Sequence, residues 1–339
     1  MKTWIDAVIS GKKRISMPFM THPGIEFIGT NVKKAVSDGE IHFQAIKAVS
    51  EHFKTVACTT IMDLTVEAEA FGAEINMPDD EVPTVMGRLL NTVEDIDNLT
   101  VPDLDKGRVQ AYLLASKLAS ENIKDKPVIS GCIGPFSLAG RLYDMSEIMV
   151  AIYIEPDAML QLLTKCTEFL IKYVKALKAT GTSGVIIAEP ASGLLGNDEC
   201  ITFSTDFVKQ IVDAVQDDNF TVILHNCGNS GQCTDAMIKS GARALHFGNA
   251  ISMADTLKEC PSDILVMGNL DPVRVFKQGT AISVKEETLK LLEITANHPN
   301  FVISSGCDIP PHTPEENIRT FIETVEIYNN SPQTPTGGF

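Results

Sequence analysis

Gly184-Val185-Ile186-Ile187-Ala188, Thr221-Val222-Ile223-Leu224-His225 and Ile264-Leu265-Val266-Met267-Gly268 are apolar runs with no polar alternation. A strand with one wet face alternates polar and apolar residues. A strand covered on both faces, as in a parallel sheet under helices, does not. Five more short runs bring the total to eight, at residues 17–21, 55–61, 127–132, 184–188, 221–225, 243–247, 264–267 and 301–304. The stretches between them carry helical periodicity. In residues 156–179, Leu160, Leu163, Thr167, Leu170, Val174 and Leu177 recur at spacings of three and four, with Asp157 near the start and Gly181 past the end. Eight strand–helix units predict an α/β fold of the (β/α)8 TIM barrel type, with an open doubly wound sheet as the rival. No G-x-G-x-x-G or G-x-x-x-x-G-K-[ST] turn, the phosphate cradle of that rival, follows any run. Residues 1–16 and 75–100 are surplus to a minimal barrel and are expected to form an N-terminal helical extension and an inserted excursion.

The remainder of the chain sets bounds. Its 339 residues show no composition shift that marks a linker, so one barrel domain over residues 1–330 is expected, followed by a flexible Pro/Thr/Gly tail at 331–339. Lys+Arg 28 against Asp+Glu 44 gives a net charge of −16, which argues against binding to nucleic acid or to an anionic membrane. The longest apolar stretch, residues 148–154, is too short to span a bilayer, and charges at Lys2, Asp6 and Lys12 interrupt any signal-peptide core. A cytoplasmic protein is expected. The eight cysteines contain no C-x-x-C pair, so most read as small buried apolar residues rather than halves of disulfides.

In a TIM barrel the chemistry sits where the strands stop. The predicted strand ends carry His22, Asp63 with Glu67, Gly131-Cys132, Glu189, His225-Asn226-Cys227, His246, Asn269 and Cys307-Asp308. His225 and Cys227 end one strand and Cys307 ends another. One imidazole and two thiolates are a natural zinc set, and three protein ligands with an open position are the catalytic pattern. Glu189 would offer a fourth, displaceable oxygen. The bland alternative stands beside this one: a buried cysteine and a hydrogen-bonded histidine at strand ends give the same spacing. Cys233 competes as a ligand but is placed to begin the next helix. His246 reads as a neighbour of the site rather than a ligand. Asp63 and Glu67 read equally well as an acid/base pair or as helix-start carboxylates.

These residues carry a resemblance. VEAEAFGAEI (residues 66–75), VILHNCG (222–228) and FVISSGCDIPPHTPEENI (301–318) resemble the uroporphyrinogen decarboxylase superfamily. Within it they are most similar to the corrinoid:thiol methyltransferase branch, whose His-x-Cys…Cys zinc signature matches His225, Cys227 and Cys307. The likeness runs from about residue 4 to 328. It implies a (β/α)8 barrel and transfer of a methyl group from a methylated corrinoid to a small thiol, with Zn2+ favouring the nucleophilic thiolate. It also implies a separate corrinoid protein as donor, since no D-x-H-x-x-G stretch is present, and it leaves room for a homo-oligomer. On that reading Glu189 occupies the open metal position until the thiol arrives. Asp63, His246 and Asn269 position the acceptor, and Asn269 and Gly131 are the cofactor-facing candidates. The decarboxylases themselves carry an arginine-rich stretch after the first strand, and residues 17–24 contain no arginine. A decarboxylase, a tetrahydrofolate-directed methyltransferase and a catalytically silent subunit of a methyltransferase assembly remain as alternatives.

Overall fold

The computed structural model describes residues 4–11 and 13–331; the expected flexible tail, past Ser331, lies outside them. Nine strands occur among the described residues: β1 (Cys58–Thr59), β2 (Ile75–Asn76), β3 (Thr84–Val85), β4 (Val128–Ile133), β5 (Gly184–Ala188), β6 (Thr221–Asn226), β7 (Ala244–Phe247), β8 (Leu265–Leu270) and β9 (Phe301–Ser305). Seven of them form one parallel sheet in the order β1-β4-β5-β6-β7-β8-β9, with helices outside it. The expected strand at 17–21 is not a strand. Residues 15–19 hold its place through a single bridge from Ser16 to Ile303, with Met17 N–H donating to Ile303 O (2.9 Å) and Ile303 N–H to Ile15 O (3.0 Å). Pro18 has no N–H to extend the ladder, and Phe19 N–H donates to the Ser305 hydroxyl instead (3.0 Å).

Inward positions show that this wall closes into a barrel. Met17, Phe19, Ala57, Ile129, Ile186, Ile223, Ala244, Leu265, Met267 and Val302 form one buried cluster drawn from all eight wall segments. Their neighbours in sequence, such as Val185, Ile187, Val222, Leu224, Leu245 and Val266, face the helical layer and join the larger core. A period of two thus serves both faces while every residue stays apolar.

The helix read at residues 156–179 is present as Pro156–Ala179, with proline in its first turn and Gly181 at φ +91° just beyond its end. The surplus segments also take shape. Residues 75–100 hold the antiparallel β2–β3 hairpin and the Val93–Asn98 helix, which is closed by a capping box between Thr92 and Asp95. The N-terminal helix Trp4–Ile9 places Ile5 and Val8 in the barrel cluster beside Ile15 and Val56, which begin their wall segments. It covers the floor, opposite the strand C-termini. Ile5→Ala is therefore expected to cost about 2–5 kcal/mol in urea unfolding, the range for a buried aliphatic truncation. A loss below about 0.5 kcal/mol would mean the helix is an appendage rather than part of the core.

Candidate functional site

The inward alternation that places Ile223 in the barrel cluster gives the next inward position on β6 to His225. On β7 the same step after Ala244 reaches His246, and the two histidines are register partners on adjacent strands. Cys227 follows β6, and Cys307 follows β9 after Gly306. Two glycines let both loops pack against the loop after β7. A Cβ on Gly248 would sit 2.7 Å from the Cys227 backbone, and one on Gly306 would sit 2.7 Å from Asn249 N. As a result one donor atom each from His225, Cys227 and Cys307 lies within 4.8 Å of the others, making a candidate metal site at the barrel mouth. Cys307 Sγ is 3.8 Å from His225 Nε2. The Cys227 thiol is drawn down to about 7, chiefly by its hydrogen bond with Cys307, and Cys307 is pushed up in turn.

Behind the triad lies a second row. His225 Nδ1 is 2.8 Å from His246 Nδ1, His246 Nε2 is 2.9 Å from the Ser304 hydroxyl, and that hydroxyl donates to Met17 O (2.7 Å). Phe19 stacks on His246 at 4.1 Å between ring centres and meets His225 edge-on. His246 is not one of the three converging ligands. Burial, and then the neighbouring His225, hold it neutral by pulling its pKa well below the usual imidazole value.

Glu189 has a different place from the one read for it. It does not join the converging set. Its Oε1 accepts from Phe136 N–H (2.7 Å) and the Ser204 hydroxyl (3.1 Å), and its Oε2 from Ser137 N–H (2.8 Å). It satisfies the N-terminus of the Pro135–Tyr143 helix, where free N–H groups attract a carboxylate. Asp63 is likewise committed. It accepts from Thr65 N–H (2.9 Å) and Oγ1 (2.6 Å), and it pairs with Arg108, which also binds Glu69 (2.6 Å). Asn269 donates to Gly248 O (2.9 Å) and Ile251 O (2.8 Å), pinning the loop after β7. Gly131 leaves room for Met62, since a Cβ there would meet its Cγ at 2.8 Å. Cys233 caps the Thr234–Lys239 helix, buried and away from the triad.

Three residues escaped the sequence reading. Arg108 and Ser304 lie on elements read only as helix and strand. Arg141 shares a helix face with Ser137, four residues earlier, and lines a cavity of about 450 Å³ with Ser137, Pro190, Ala191 and Leu194. The segment Pro190–Leu194 in turn packs on the loop after Cys227, because a Cβ on Gly193 would strike Gly228 at 2.2 Å. Arg141 makes no hydrogen bond or ion pair among the described residues. Its i, i+4 relation to Ser137 after a strand end was the available signal.

Glu67 completes the mouth. Its Oε1 accepts from Ile133 N–H (3.0 Å) while its buried Oε2 has no hydrogen-bond partner among the described residues. Burial raises the carboxyl to about 7 from an ordinary 4.5. A raised folded-state pKa favours the fold below about pH 4.5, and that contribution is lost as pH rises through about 7. Glu67→Gln keeps the acceptor for Ile133 and removes the charge. It is expected to gain on the wild type between pH 5 and 8 by up to about 3 kcal/mol in urea unfolding. Parallel stability curves across that range would show Glu67 to be relaxed in the fold.

The sequence profile of the uroporphyrinogen decarboxylase (URO-D) family matches residues 14–328. The chain is 30% identical over 279 residues to the methylcobamide:CoM methyltransferase MtbA of Methanosarcina acetivorans, covering 78% of each chain. It is 24% identical over 282 residues to the uroporphyrinogen decarboxylase of Wigglesworthia glossinidia brevipalpis, covering 80% of this chain and 78% of that one. Its fold superposes on a solved methyltransferase from Methanosarcina mazei with a TM-score of 0.87, at 24% identity, over 97% of this chain and 99% of the other. From its first wall segment to its last helix, this chain belongs to the uroporphyrinogen decarboxylase (URO-D) family.

Proposed function

We propose that the protein moves a methyl group from a methylated corrinoid, presented by a separate corrinoid protein, to a small thiol, with Zn2+ held by His225, Cys227 and Cys307. The observation that carries this is the convergence of one imidazole and two thiols within 4.8 Å at the mouth of a barrel. The donor set fits the ion. Ligands at about 2.0–2.3 Å from a tetrahedral centre stand roughly 3.3–3.8 Å apart, and Cys307 Sγ to His225 Nε2 is 3.8 Å. When bound, zinc supplies a Lewis acid that favours the thiolate of an incoming thiol. The identity to a methylcobamide:CoM methyltransferase supports the reaction class.

The chain's own residues shape the acceptor side. A cavity of about 450 Å³ suits a small molecule and is too small to enclose a corrinoid. That supports a donor docked at the mouth from a partner protein. Glu189 and Asp63 act on the mouth's architecture through the helix and the arginine they hold. Arg141 offers the cavity a cation that has no hydrogen bond among the described residues and lies in the field of Asp63 and Glu67. CoM, named with the methyltransferase relatives, is a short thiol ending in a sulfonate and is the first acceptor to try. Decarboxylation is disfavoured because residues 15–24 bring no arginine to the mouth. Among the described residues no helix is long and apolar enough to cross a membrane, which supports the cytoplasm as the place of action.

Cys307→Ala is expected to lower zinc, measured by elemental analysis, from about one per chain to near zero while the thermal unfolding midpoint stays close to wild type. Methylcobalamin demethylation by thiol should fall to the uncatalysed rate in the same variant. Zinc retained in full by Cys307→Ala would refute the ligand set. Arg141→Met should raise KM for a sulfonate-bearing thiol by about 10- to 100-fold with kcat little changed, the worth of a charged hydrogen bond. KM for a neutral thiol of equal length should not move; an equal loss for both thiols would assign Arg141 to packing.

A further inference from the structure

We propose that Ser304 and His246 are positioning residues: with the Met17 carbonyl they form a one-way hydrogen-bond relay that fixes His225 as the Nδ1–H tautomer and turns its bare Nε2 toward Cys307. The inference rests on His225 being a metal ligand. It is carried by donor counting. Met17 O only accepts, so the Ser304 hydroxyl must spend its single proton there, at 2.7 Å. The same oxygen, 2.9 Å from His246 Nε2, is then left to accept, and His246 carries its proton on Nε2. His246 is 0% exposed under the Phe19 ring and has no carboxylate partner among the described residues, so a second proton would be an uncompensated buried charge. Its Nδ1 is therefore a lone pair. The 2.8 Å contact with His225 Nδ1 needs one proton, and only His225 can supply it. The relay has a single solution, and it presents the nitrogen that a metal requires.

The relay also explains why a serine and a second histidine occupy inward positions that the layers below give to Val302 and Ala244. An apolar pair there would leave His225 free to carry its proton on Nε2, against Cys307. Holding the correct tautomer ahead of binding removes the cost of proton rearrangement from metal uptake.

The test reads the ring nitrogens directly. The full chain, labelled with 15N-histidine, would be examined by long-range 1H–15N correlation without metal and with one equivalent of Zn2+. His225 is expected as Nδ1–H and His246 as Nε2–H before zinc is added. Ser304→Ala should give mixed tautomers at both rings and weaken zinc binding roughly 10- to 100-fold. Ser304→Thr, which keeps the hydroxyl, should restore both readings; a merely packing role would not separate Ala from Thr in this way. The wild-type spectrum decides even if a variant fails to fold. His225 found as Nε2–H, or tautomers and zinc affinity unchanged in Ser304→Ala, would overturn the relay alone. The expected tautomers in a wild-type chain that takes up no zinc would overturn the metal reading, and the relay's purpose with it.

Discussion

A closed parallel barrel leaves each wall residue two destinations, the interior or the helical layer, and the interior is too narrow for chemistry except at its open end. Here the lower inward positions are filled by Ile129, Ile186, Ile223, Ala244, Leu265 and Val302, and the floor is covered by Ile5 and Val8. At the last inward step of β6, β7 and β9 the side chains turn polar, at His225, His246 and Ser304. They are polar because the strands are ending and mouth loops can reach them. They are buried because the barrel still surrounds them. The candidate metal site is thus a consequence of where alternation runs out.

The carboxylates around the mouth divide by how they are satisfied. Glu189 takes two backbone N–H groups and a hydroxyl, Asp63 takes an arginine and a threonine, and Asp308 takes Thr21 through both its N–H and its hydroxyl. Each holds one loop or helix start against another, and removal of either partner would strand a buried polar group. Glu67 is the exception, with one oxygen bonded and one bare. The basic side chain left over at the same rim is Arg141. The scaffold has thus tied up most of the carboxylates at the mouth, and Arg141 lies in the field of Asp63 and Glu67.

The thinnest part of the wall carries a disproportionate role. Pro18 reduces the first wall segment to a single bridge, yet that segment supplies Phe19 against both histidines and the Met17 carbonyl that ends the Ser304 contact. Barrel closure and the orientation of the imidazoles are therefore one packing arrangement. Loss of the bridge would loosen the ring stack as well as the seam.

The sequence by itself determined the parts whose signal is local. Apolar runs without alternation marked most of the buried strands, three- and four-residue spacing marked the helix at Pro156–Ala179, and thiols and imidazole at strand ends marked three residues that converge at the mouth. The resemblance carried by residues 66–75, 222–228 and 301–318 agreed with the family that residues 14–328 match. Tertiary structure decided the rest. Glu189 meets a helix start 53 residues earlier in the chain, and Asp63 meets an arginine 45 residues later, so neither partner shows in its own neighbourhood. A strand-end carboxylate looks the same whether it faces a metal, a helix dipole or a guanidinium. The pairing of His225 with His246 came from strand register, and the meeting of Cys227 with Cys307 came from two loops that pack closely on the loop after β7 at Gly248 and Gly306. Which side chains exist is written residue by residue. Which of them share a proton or an ion depends on distances that exist only once the barrel has closed.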